Sequence, residues 1–139
     1  RRADLVRQRP DRAGMSLTCL MLGAATVMLA APEFTLDWTH SVERVQWRED
    51  WRVTGTALVL DRSAIRGSGA GMEPGPDATL QDGWWVSPGR LQVPELRLAA
   101  SGATGGGWRF CADGRCRDIG TTSGPPVVIA PCGADRAGG

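Results

Sequence analysis

Residues 34–53 read FTLDWTHSVERVQWREDWRV, and the parity of this stretch decides the fold. Phe34, Leu36, Trp38 and His40 fall on one side of an extended chain, with Thr35, Asp37 and Thr39 on the other. The phase then changes. Val45, Trp47, Glu49, Trp51 and Val53 share one face, and Arg44, Gln46, Arg48, Asp50 and Arg52 share the opposite one. A helix repeats its apolar residues at three and four, so this alternation predicts two strands with residues 41–44 as their turn. With Val42-Glu43 at the centre, Phe34 faces Trp51, Leu36 faces Glu49, Trp38 faces Trp47 and His40 faces Val45. Both apolar sets then lie on the same side, as a one-sided sheet requires. His40 and Glu49 are the polar interruptions of these faces. They stand about 13 Å apart along the face at strand rise, too far to touch.

A chain of 139 residues predicts one domain. The 19 glycines and 9 prolines predict frequent turns. The formal net charge is +1 and all 16 basic residues are arginine. Acids and arginines alternate rather than cluster, the pattern of a solvated face, and no basic patch supports nucleic-acid binding. Tyrosine is absent and six tryptophans carry most of the aromatic surface. In a small sheet such residues fill the core.

Residues 1–14 form a polar flank with five arginines. Residues 15–31, MSLTCLMLGAATVMLAA, are uncharged and mostly apolar. Charged flank, apolar run and small residues before Pro32 predict a helical secretory signal or membrane anchor over residues 15–32, in contact with the membrane. The β domain is then expected over residues 33–120. Residues 121–139 are expected to be a partly disordered tail, with a further strand candidate at residues 125–129. If the leader is removed, Cys132 is left without a partner.

Between these ends the punctuation is regular. Residues 57–66 predict a third strand. The stretch GSGAGMEPGPD, residues 67–77, excludes a regular element and reads as a tight connection. Asp82-Gly83 marks a turn before Trp84-Trp85-Val86, and residues 91–100 predict another strand, with Pro94 at an edge or a strand start. In WRFCADGRCR, residues 108–117, Asp113-Gly114 suits a two-residue hairpin turn. Cys111 then faces Cys116 at a close pair, which predicts a cross-strand disulfide and an oxidising compartment. A zinc site built on the two cysteines would need further ligands, and only Cys132 and His40 remain.

The motifs WTHSVER, GSGAGMEP, DGWW, SGATG and WRFCADGRC, in this order and spacing, resemble the bacterial family called domain of unknown function 1850. The resemblance covers about residues 34–118. It implies a small exported or membrane-anchored protein, often encoded beside TAXI-type tripartite ATP-independent periplasmic (TRAP) transporters. It also implies an accessory role in transport, with His40, Ser41, Glu43, Gly69, Gly71 and Met72 as motif residues.

The fold expected is all-β, a small antiparallel sandwich or open barrel of about six to eight strands. The function expected is a non-enzymatic, periplasmic accessory or binding module of a TRAP system. Its partner would be the permease or the solute-binding protein, and no cofactor or metal is expected. The candidate binding residues are His40, Ser41, Glu43, Glu49, Gly69, Gly71 and Met72. One alternative is a structural envelope domain that uses Trp84-Trp85 or an exposed edge. Another is an enzyme centred on His40. That histidine beside Ser41 is not a nucleophile–base pair, because strand neighbours point to opposite faces.

Overall fold

Alternating sequence produces strands wherever the two faces meet different surroundings, and here it does so in two layers. The structure is a computed structural model that describes residues 17–39, 45–67, 76–100 and 107–132. Its strands are β1 Thr18–Leu22, β2 Ala25–Leu29, β3 Glu33–Thr39, β4 Gln46–Val53, β5 Leu58–Arg66, β6 Thr79–Gln81, β7 Trp84–Val93, β8 Leu96–Leu98, β9 Trp108–Ala112, β10 Arg115–Ile119 and β11 Val127–Pro131. A seven-stranded antiparallel sheet has the order β10-β9-β3-β4-β5-β7-β6, and a four-stranded one has the order β2-β1-β11-β8. Leu20, Val127 and Ile129 of the small sheet join Phe34, Leu36, Trp51, Val53, Leu58 and Phe110 of the large one in a single core. The fold is therefore all-β and sandwich-like. The described residues hold eleven strands, more than the six to eight expected.

The β3–β4 register is the predicted one: Phe34 opposes Trp51, Leu36 opposes Glu49 and Trp38 opposes Trp47. Phe34 stacks on Trp51 at 6.3 Å and on Phe110 at 5.2 Å, and Trp38 stacks on Trp47 at 5.9 Å. The opposite face carries charge. Asp118, Arg109, Asp37 and Arg48 follow one another across four strands, each acid beside a base. Asp50 stands beside Arg62 in another row, with Arg62 Nε donating to Asp50 Oδ2 at 2.8 Å. The same register thus places apolar residues together on one side and opposite charges together on the other.

The apolar run near the N-terminus is where expectation and structure differ. Over its described part, residues 17–31, the chain is strand and not helix. Residues 18–22 and 25–29 form a hairpin, and Thr18 and Leu20 are wholly buried. The physical reason is that a short uncharged run reads alike for a membrane segment and for a strand buried on both faces. Gly23, with φ 66°, supplies the turn that breaks the run in two. The Thr18 hydroxyl donates to the Ala31 carbonyl at 2.8 Å, so the buried polar group is satisfied. Strand β11, which overlaps the candidate at residues 125–129, lies between β1 and β8. Cys19 is bonded to Cys132, which is not left unpaired. The packed body therefore draws on residues before 33 and after 120.

The predicted Cys111–Cys116 disulfide is present, with Cα atoms 4.0 Å apart on facing residues. Asp113 and Gly114 both have positive φ, as do Asp82 and Gly83, so the two Asp-Gly pairs turn as their sequence predicts. Strand β7 runs unbroken from Trp84 to Val93, although two separate segments were expected there. Pro88 is tolerated because it faces Arg62 where the β5–β7 register shifts, at a position that tolerates a missing N–H. Pro94 ends β7, and the chain crosses to the small sheet as β8.

Two stability outcomes follow. A Cβ on Gly89 would lie 1.9 Å from the Leu60 carbonyl oxygen, a backbone atom that cannot move aside. Gly89→Ala is expected to destabilise the fold by about 3 kcal/mol or more in urea denaturation. The Cys19–Cys132 bridge spans 113 residues and Cys111–Cys116 spans 5. By chain entropy the Cys19→Ala/Cys132→Ala pair is expected to cost about 5 kcal/mol, against about 2 kcal/mol for Cys111→Ala/Cys116→Ala. Equal midpoints for the two double variants would contradict that ranking.

Candidate functional site

The small sheet covers only part of the inner face of the large one. Phe34, Leu36, Trp51 and Val53 are buried beneath it. Toward the other end of the same strands, Trp38, Trp47, Ile65, Trp85 and Leu80 form one cross-strand row. Trp47, Ile65 and Trp85 are half-buried, and Leu80 is 59% exposed. The row exists because β3, β4, β5 and β7 each place an apolar residue at matching parity. The parallel stack of Trp38 on Trp47, 3° apart, fixes two of its members.

Beside it runs a second row, Leu36, Glu49, Ser63 and Ser87. Glu49 is the acid that interrupts an apolar face in the sequence. Its Oε1 accepts a hydrogen bond from the Trp51 indole Nε1 at 3.0 Å. Burial raises the Glu49 carboxyl above its ordinary value, and the indole hydrogen bond opposes part of that rise. A half-desolvated carboxylate next to flat aromatic surface suits a ligand or partner that brings apolar groups together with a cation. Trp85 was named from the sequence only as part of an interaction patch with Trp84, and Ser63, Ile65 and Ser87 were not singled out. Their signal was available only once β5 and β7 were registered against β4.

Of the candidate binding residues read from sequence, Glu49 is the one that lies among the described residues. His40, Ser41, Glu43, Gly69, Gly71 and Met72 lie outside them. The described sheet ends in the register row Thr39, Gln46 and Arg66, next to the tryptophan row. Segments 40–44 and 68–75 are joined in sequence to these strand ends.

On the opposite face an open groove of about 610 Å³ is lined by Thr35, Arg48, Asp50, Asp61 and Arg62 beside the β9–β10 turn. Its charges pair with one another: Arg48 lies 3.6 Å from Asp50, and Arg52 lies 3.2 Å from Asp61 at its rim. All four cysteines are in disulfides, so no thiolate is available for zinc. Among the described residues, no three His, Cys, Asp or Glu side chains converge as metal ligands. Nor is any described helix long and apolar enough to cross a membrane.

The model of the family described as domain of unknown function (DUF1850) matches residues 34–119. The chain belongs to that family. The matched span runs from β3 to β10, so this DUF1850 domain carries its whole large sheet within it, and β1, β2 and β11 of the small sheet outside it. No curated protein and no solved structure matches the chain.

The raised Glu49 carboxyl makes a pH-dependent prediction. A carboxyl whose folded pKa lies above its unfolded value favours folding fully below the unfolded value. That contribution is lost as pH rises through the folded one. Glu49→Gln keeps an acceptor for Trp51 and removes the buried charge. It is expected to raise the melting temperature by roughly a few degrees near neutral pH and to leave it unchanged in acid. An equal shift at both pH values would show that burial of the charge is not the cause.

Proposed function

We propose that this DUF1850 domain is an exported, non-enzymatic accessory module that docks on a component of a TAXI-type TRAP transport system. The observation that carries the docking reading is the half-buried row Trp38, Trp47, Ile65 and Trp85 with the desolvated Glu49 beside it. Tryptophan at the centre of a partly covered apolar face is the side chain most enriched among residues that dominate binding energy. Glu49 adds a preference for a basic or cationic group on the partner. The two disulfides support export, because such bonds persist in oxidising compartments. The association with a TRAP system rests on the family resemblance, and the partner is the permease or the solute-binding protein.

Affinity purification of the tagged full chain from envelope extracts is expected to retain a TAXI-type solute-binding protein or permease. Trp47→Ala and Trp85→Ala are each expected to weaken that retention at least about tenfold while the disulfides and the sheet persist. Deletion of the gene is expected to lower solute uptake. Unchanged uptake together with no transporter component retained would sink the proposal.

A further inference from the structure

Of the four edges of the two described sheets, three carry their own protection. Strand β6 and strand β8 are each 3 residues long, and β8 has Arg97 at its middle. Strand β10 carries Arg115, Arg117 and Asp118. Short edges and charged edges resist pairing with another chain. Strand β2, Ala25–Leu29, is different: it has 5 residues, ATVML, with no charge and no proline. Met28 on it is 59% exposed.

Its hydrogen-bonding pattern follows from its turn. Leu22 faces Ala25 across Gly23-Ala24, so this pair exchanges backbone bonds, and the pattern alternates from there. Leu20 with Val27 and Thr18 with Leu29 are then the other bonded pairs. The N–H and C=O groups of Thr26 and Met28 point away from β1, along the open edge.

We infer that β2 is the seam of a homodimer, in which two copies pair antiparallel about a two-fold axis through Val27. This register puts Thr26 opposite Met28 of the second copy and Val27 opposite itself. Every outward backbone group on Thr26 and Met28 then meets a complementary group, so the edge is complementary to its own copy, as an isologous interface requires. The strand brings no charge to the axis, whereas the same operation on β10 would bring arginines toward each other. Val27 packs against the core on the inner side, so pairing carries that apolar layer across the seam. On the outer side the exposed Met28 gains Thr26 of the second copy as its neighbour. The two four-stranded sheets become one continuous sheet. This inference uses neither the tryptophan row nor the transporter association, so it stands or falls separately from them.

Sedimentation velocity on the disulfide-intact full chain tests it. The wild type is expected to show a concentration-dependent monomer–dimer equilibrium. Thr26→Lys/Met28→Lys places ammonium groups opposite each other and is expected to raise the dissociation constant at least about tenfold. Mixing it with Thr26→Glu/Met28→Glu is expected to restore a dimer of the two variants, because the register sets each carboxylate against an ammonium. In the wild-type dimer the Thr26 and Met28 amides are expected to exchange slowly with solvent. A wild type that stays monomeric at every concentration overturns the proposal. So does a dimer indifferent to the lysine pair, or fast exchange of those two amides in the dimer. Should the lysine variant not fold, amide exchange in the wild type decides alone.

Discussion

The rest of the molecule depends on the pairing of β3 with β4. A slip of one residue in that pair would turn either Phe34 and Leu36 or Trp51 to solvent, and bring Thr35 and Asp37 or Asp50 toward the core. Both faces resist the slip. On the inner face Phe34 stacks between Trp51 and Phe110, and on the outer face Asp37 lies between Arg48 and Arg109. Each outer contact is exposed and contributes little by itself. Their joint effect is to exclude the alternative register, where like parity would place charge against tryptophan.

Much of this was legible in the sequence, because parity is a local property. The Phe34–Trp51 and Trp38–Trp47 pairs and the Cys111–Cys116 bridge all follow from a turn position and an alternation of two. Long-range closure was not legible. Cys19 and Cys132 are separated by 113 residues, and nothing between them marks them as partners. The run at residues 15–31 carries the composition of a leader and also of a hairpin that packs into a sandwich. Only a partner sheet distinguishes the two. In this chain the partner is β11, whose Ile129 and Ala130 are wholly buried.

The candidate site was half legible for a related reason. Glu49 stands out in the sequence because it breaks an apolar alternation that tryptophans define on either side. Ser63, Ile65, Ser87 and Trp85 complete its surroundings, yet their strands change phase along their length. The extra residue Asp61 shifts β5 against β4, and Gly89-Arg90 shifts β7 against β5. A reading by parity loses the face at each shift. Gly89 shows that the shift is built in, since its backbone lies where a Cβ would strike Leu60.

The two faces of the large sheet also divide their roles. Outer-face acids and arginines largely neutralise each other along the rows, so that surface offers a partner few unpaired charges. The inner face beyond the small sheet is the reverse: aromatic, half-buried and with one carboxylate held away from water. Desolvation that is costly in the free protein becomes a source of selectivity when a cation arrives, since the partner relieves a penalty already present. Selectivity in this domain is therefore expected to arise at the row where the sheets stop overlapping. The length of the small sheet sets how much tryptophan surface it leaves uncovered.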